Sequence, residues 1–215
     1  SGWLIDSPAS TRLDLPPRVD DSPMDSPLES AVTGGVRERT LRFGPQNQLV
    51  GVLAEPALTH ESRRKTGVIL LNVGGNYRVG PHRFYVTASR ALAEAGWRTL
   101  RLDLAGLGDS MPQPGKRWAN LYDRDSQEDV RSAMNELAAL GCREFVLMGV
   151  CSGSYVAFQT AQGDPRVGGI VLMNSRLLEW KPGQPGDGWQ DAMQQHAKST
   201  DWYIKAALTR GPWLR

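Results

Sequence analysis

The sequence predicts an α/β fold, a mostly parallel sheet with helices on both faces. Three observations carry this. Strand and helix signals alternate along residues 36–180, the pattern left by parallel strands joined through crossover helices. Gly67–Asn72 (GVILLN) is a continuous apolar run, as expected of a strand covered on both faces. Two stretches with apolar residues at helical spacing each stop at a glycine, Gly96 and Gly141, the usual end of a helix.

The elements follow in order. Val36–Phe43 and Gln48–Ala54 are β-like runs around Gly44-Pro45-Gln46-Asn47, which reads as a hairpin turn and makes this pair the antiparallel edge of the sheet. Gly67–Asn72 is the first interior strand. Phe84, Ala88, Ala91, Leu92 and Ala95 mark a helix, and Trp97–Leu104 a strand. Val130, Ala133, Met134, Leu137 and Leu140 mark the next helix. Phe145–Val150 is a strand, Ser154–Gln162 a helix and Gly169–Asn174 a strand. The expected sheet has about six strands.

The 215 residues divide into three zones. Residues 1–34 are a Pro/Asp-rich tail or linker. Positions 1–30 alone hold five of the 14 prolines, six acids and two arginines, a composition that buries too little apolar surface to fold alone. Trp3, Leu4 and Ile5 are the anchor if the tail lies on the body. Residues 35–180 are the core. Residues 181–215 open with Lys181-Pro182-Gly183-Gln184-Pro185-Gly186 and continue with Trp189, Met193, Trp202, Tyr203, Ile204 and Leu208, read as short amphipathic helices off the main sheet. The aromatics of this segment are expected to pack the segment itself.

Composition narrows the function. No apolar run approaches the length of a membrane span, so no membrane partner is expected. Net charge is +2, which gives no electrostatic case for nucleic acid. No P-loop exists, and no G-x-G-x-x-G follows the first parallel strand. The two cysteines, Cys142 and Cys151, lack metal-site spacing. A strand between them would hold them about 30 Å apart, against the ~6 Å of a disulfide. Reduced thiols, and hence a cytoplasmic location, are expected. No cofactor and no metal are expected.

The chemistry concentrates at Gly149-Val150-Cys151-Ser152-Gly153. These residues join a strand to a helix start and match the nucleophile elbow G-x-S-x-G, with cysteine in the nucleophile's place. The turn is sharp, so the residues two positions either side must be small. The helix behind it aims its first N–H groups at the same spot, which favours a thiolate and a developing oxyanion. The same five residues also fit a glycine-lined turn with an inert cysteine. Ser152 is the rival nucleophile, one position off the frame.

Two further segments accompany the elbow. Asp103-Leu104-Ala105-Gly106-Leu107-Gly108-Asp109-Ser110 follows a strand, and Gly74-Gly75 follows Val68–Asn72. Taken with the elbow they occur in the order and spacing of the α/β-hydrolase superfamily, which the chain resembles over about residues 36–180. The pattern Asn72-Val73-Gly74-Gly75…Arg78-Val79-Gly80-Pro81 is similar to a bacterial branch labelled serine aminopeptidase-like or exosortase-associated hydrolase.

The resemblance implies roles. Cys151 is the catalytic nucleophile. The N–H groups of Gly74 and Ser152 form the oxyanion hole, each donor worth roughly 3–4 kcal/mol in the transition state. Asn72-Val73 stands where the branch usually has His-Gly, which leaves Gly74 and Gly75 both open as the loop donor. Gly75 and His82 are candidate pocket residues. Asp109 is expected to fix its own turn through backbone bonds. His60 lies in a polar loop, and His196 is a stand-in base within the lid segment.

In this family the acid and the histidine follow the nucleophile. Only one strand is expected after Cys151, so the sheet is expected to break off after strand six, within the lid. The remainder of the same protein, or a second copy, is then the expected partner. Two functions fit. One is an acyl-transfer enzyme or hydrolase acting on a small-molecule or carrier-bound ester, thioester or amide through a cysteine acyl-enzyme. The other is a non-catalytic binding module on the same fold, without a complete triad.

Overall fold

A computed structural model describes residues 31–33, 35–57, 64–114, 122, 124–175 and 178–179. Among these residues seven strands form one sheet: β1 (Ala31–Thr33), β2 (Val36–Phe43), β3 (Leu49–Pro56), β4 (Thr66–Leu71), β5 (Arg98–Asp103), β6 (Glu144–Val150) and β7 (Val167–Met173). Their spatial order is β1-β2-β3-β5-β4-β6-β7. The three N-terminal strands are antiparallel to one another, and β3 is antiparallel to β5. The strands β5, β4, β6 and β7 run parallel. The expected α/β architecture is therefore present, with the hairpin strands at one edge and β4 in the interior.

Among the described residues, three helices cover the sheet: α1 (Phe84–Glu94), α2 (Arg124–Ala139) and α3 (Ser152–Gly163). The strand register explains which side each takes. Ile69, Leu71, Leu100, Leu102 and Leu147 pack with Val130, Met134 and Leu137 of α2 and with Val156 and Ala157 of α3. The alternate residues Val68 and Leu70 pack against Tyr85, together with Ala88 and Leu92 of α1. Successive strand residues point to opposite faces, so apolar runs without alternation feed both layers. This is why β3, all eight residues buried, shows no polar alternation from Leu49 to Ala54.

Strand β1 falls within the stretch assigned to the tail. It pairs through Ala31↔Glu38, Val32↔Arg37 and Thr33↔Val36. A three-residue strand flanked by a Pro/Asp-rich stretch gives no periodicity to read. The hairpin turn is a short 3-10 turn, Pro45–Asn47. Helix α3 starts at Ser152, two residues before the expected Ser154, because the chain turns into the helix directly after Cys151.

Buried charge on β5 departs from the apolar pattern. Arg98, Arg101 and Asp103 are all buried. Arg101 and Arg90 both hold Glu38, at 2.9 and 2.5 Å, and Arg98 faces Glu55 at 3.7 Å. Burial disfavours the Glu38 carboxylate, but its bonds to Arg90 and Arg101 outweigh that and set its pKa below the ordinary value. No helix among the described residues is long and apolar enough to cross a membrane.

Candidate active site

The strand order fixes where a site can lie. From β4 the chain turns towards α1 on one face, and from the adjacent β6 it turns into α3 on the other. Neighbouring parallel strands whose connections leave to opposite faces open a crevice beyond their carboxyl ends. The two segments that border this crevice are the loop after Leu71 and the turn at Cys151.

Cys151 occupies the strand-to-helix turn with φ 55 and ψ −114. A non-glycine residue held there carries strain of about 1–3 kcal/mol, so the surroundings must hold it. They do so on three sides. The Cys151 N–H donates to the Met173 carbonyl at 2.9 Å. Ser154 Oγ donates to Gly149 O at 2.9 Å and accepts from the Met173 N–H at 3.2 Å, tying β6, α3 and β7 together. From the α1 face, the buried Tyr85 hydroxyl accepts the Val150 N–H at 3.2 Å. Burial raises the Tyr85 pKa far above the ordinary phenol value, despite the opposing bond from Val150, so this hydroxyl stays neutral.

The two glycines allow the turn to close. A Cβ on Gly149 would lie 2.2 Å from Gly153 C and O, and a Cβ on Gly153 would lie 2.6 Å from Asn72 O. The end of β6, the start of α3 and the chain leaving β4 at Leu71-Asn72 thus touch backbone to backbone. That contact is the physical content of the Gly149/Gly153 frame.

The loop after β4 is held by a buried carboxylate. Asp103 is fully buried. It accepts the Arg78 N–H at 2.6 Å, Asn72 Nδ2 at 3.1 Å and the Asp109 N–H at 3.2 Å, and it pairs with the Arg78 guanidinium. Asn72 returns a bond by accepting the Leu104 N–H at 2.8 Å and donates to Asn76 O at 2.8 Å. Asn72 therefore serves as a loop brace. Arg78 also reaches Asp109 at 2.7 Å. Burial lowers its pKa, and the bonds to Asp109 and Asp103 more than reverse that. Asp109 contributes to its turn through its backbone N–H, which bonds Asp103, while its carboxylate pairs with the Arg78 guanidinium.

This brace delivers the glycine loop to the elbow. Gly74, at φ 54, donates its N–H to Ser152 Oγ at 2.7 Å. Ser154 N–H bonds to Cys151 O at 3.1 Å, and Asn76 N–H to Val73 O at 3.0 Å. The N–H groups of Ser152, Gly153 and Gly75 have no hydrogen-bond partner among the described residues. Cys151 is half-buried, whereas Cys142 is buried. Burial pushes the Cys142 thiol up, against the weaker opposing pull of Arg98.

Of the residues singled out from sequence, the structure brings Cys151, Ser152 and Gly74 together, with Gly75 beside them. His82 lies exposed in the 3-10 turn Pro81–Arg83 ahead of α1 and makes no hydrogen bond to Cys151 among the described residues. His60, His196 and the lid aromatics lie outside the described residues. Sequence reasoning missed the bracing roles of Asn72, Arg78 and Asp103 and the anchoring by Ser154 and Tyr85. The one available signal was Asp103 at the head of D-x-x-G-x-G-x-S. No group of three or more His, Cys, Asp or Glu among the described residues is placed to hold a metal.

A family model described as alpha/beta hydrolase fold matches residues 68–208. Comparison with curated proteins gave no match. Several solved structures share the fold. A hypothetical protein from Pseudomonas aeruginosa is 22% identical with a TM-score of 0.54, over 66% of this chain and 44% of its own. A cold-adapted esterase from an Arctic intertidal metagenomic library is 19% identical with a TM-score of 0.51, over 67% of this chain and 63% of its own. An α/β serine hydrolase without lid from Xanthomonas campestris is 18% identical with a TM-score of 0.51, over 74% of this chain and 68% of its own. The chain thus spans less than two thirds of the first two proteins, and identities this low speak to the fold.

Proposed function

The chain belongs to the alpha/beta hydrolase fold family, and on that premise we propose that it is a hydrolase or acyl-transfer enzyme with Cys151 as nucleophile. The thiol proton passes to a base and Sγ bonds to the carbonyl carbon of an ester, thioester or amide. The carbonyl electron pair moves onto oxygen, which the free amide of Ser152 and an amide of the Gly74-Gly75 loop stabilise. Collapse expels an alkoxide, thiolate or protonated amine and leaves a thioester acyl-enzyme. Water or another acceptor then takes the acyl group. Thioesters, small or carrier-bound, suit a cysteine best.

The observation that supports this reading most is the conformation of Cys151: a non-glycine residue at positive φ, half-buried, on the strand-to-helix turn at the switch point. Backbone strain clusters at functional sites. The base is proposed to lie after β7, in keeping with the family order of nucleophile, acid and histidine. Within that order the cysteine departs from the usual serine, and the likeness to the serine aminopeptidase-like branch stays part of this proposal.

A second reading, a non-catalytic binding module, draws on one observation. No histidine hydrogen-bonds Cys151 among the described residues. Turnover of an activated thioester by wild type, Cys151→Ala and Cys151→Ser separates the two. The enzyme reading expects the alanine variant to be inactive and the serine variant to keep a trace. Equal rates for wild type and Cys151→Ala would remove Cys151 from the chemistry.

A further inference from the structure

The Ser152 side chain is a polar group at the elbow that the mechanism above leaves unused. It is buried, 2% exposed, and its oxygen accepts the Gly74 N–H at 2.7 Å. Its own hydroxyl proton has no acceptor among the described residues. A buried hydroxyl that accepts a bond and donates none is half-satisfied. Meanwhile, of the two loop amides open as oxyanion donors, Gly74 N–H is already occupied by this oxygen, and Gly75 N–H is unbonded among the described residues. We infer that the Ser152 hydroxyl is itself an oxyanion donor, standing between the Gly74 N–H and the substrate oxygen. This rests on the reading of Cys151 as the nucleophile.

The chemistry is consistent with the positions. Ser152 directly follows Cys151, so its free N–H and its O–H leave the same residue. Accepting a bond from Gly74 polarises the hydroxyl and strengthens the bond it donates. When Cys151 Sγ bonds to the carbonyl carbon, the electron pair that moves onto oxygen meets Ser152 N–H and Ser152 O–H. The Gly74 amide contributes through the serine oxygen. On collapse the C–O double bond reforms, the leaving group departs with the electron pair of its bond to carbon, and the serine keeps its proton throughout. A hydroxyl also tolerates small shifts of the oxygen, because it rotates while an amide is fixed.

The test compares two reactions at the same sulfur. Acylation by an activated thioester passes through an oxyanion. Alkylation by iodoacetamide forms an S–C bond with loss of iodide and develops none. Single-turnover rates at Cys151 are read by intact-protein mass spectrometry on the full chain, in wild type and Ser152→Ala. The ratio of acylation to alkylation rate is expected to fall about tenfold or more in Ser152→Ala, as loss of an oxyanion donor demands. Taking the ratio cancels any general change in thiol exposure. An unchanged or higher ratio would overturn the inference and leave the oxyanion to the backbone amides alone. Wild type that alkylates at Cys151 but never acylates would refute the acyl-transfer reading itself, and this inference with it.

Discussion

Replacing Gly149 with alanine inserts a methyl carbon into the backbone contact that closes the elbow. The new Cβ would lie 2.2 Å from Gly153 C and O and 2.5 Å from Ser154 N. All three are backbone atoms at the start of α3, so no side chain can rotate away. Relief requires α3 to move off β6 by roughly an ångström, with loss of ideal packing. Ser154 and the Cys151 amide, both bonded to β7, would be pulled along. Overpacking of this kind costs about 1–3 kcal/mol, and a backbone obstacle belongs at the upper end. For a domain of this size about 3 kcal/mol lowers Tm by roughly 6–12 °C. Displacement of Cys151, the proposed nucleophile, by about 1 Å should also slow acylation on the order of 100-fold. Gly169→Ala is the matched control. Its Cβ meets only Val146 Cγ2 at 3.4 Å and Cγ1 at 4.0 Å, and its stability should change by less than about 0.5 kcal/mol. Thermal melts and acylation rates of both variants decide the matter. Equal Tm and equal rates for Gly149→Ala and Gly169→Ala would refute the close-contact account of the elbow.

Other perturbations read other parts of the structure. Arg78→Ala leaves the fully buried Asp103 without its guanidinium and should cost about 3 kcal/mol in urea denaturation; a loss below about 1 kcal/mol would show that the Asn72 and backbone bonds suffice. Thiol titration with a disulfide reagent at neutral pH should show one fast group, Cys151, and one slow group, the buried Cys142 whose thiol burial holds protonated; two groups of equal rate would contradict the packing. Asp164 has its carboxyl held below the ordinary value of 3.8, chiefly by the Arg166 side chain and against the cost of burial. Its contribution is complete above the unfolded pKa and is lost as pH falls through the folded one. Asp164→Asn should therefore flatten the loss of stability at acid pH, as measured by Tm against pH, and an unchanged acid slope would count against the Asp164–Arg166 pair.

The parallel strands were legible because double coverage leaves apolar runs that need no alternation, and the glycine stops at Gly96 and Gly141 bound their helices. The elbow was legible for a steric reason, since a turn that tight tolerates only small neighbours at positions 149 and 153. The rest depends on contacts distant in sequence. Arg101 and Asp103 share one face of β5 and Arg98 the other, but their partners Glu38, Arg78 and Glu55 come from β2, the loop after β4 and β3. The Gly74–Ser152 bond joins residues 78 positions apart, and no local pattern encodes it. Helix α3 began earlier than expected because Ser152-Gly153-Ser154 has poor helix propensity, which the elbow geometry overrides. Strand β1 is too short for any period to register.

The most direct test of the central claim locates the acyl group. The full chain is mixed with an activated thioester, quenched in acid within one turnover, digested and mapped by tandem mass spectrometry. The account predicts one acylated peptide with the acyl group on Cys151, absent from Cys151→Ala. An acyl group on Ser152 or on Cys142, or labelling that persists in Cys151→Ala, would contradict it.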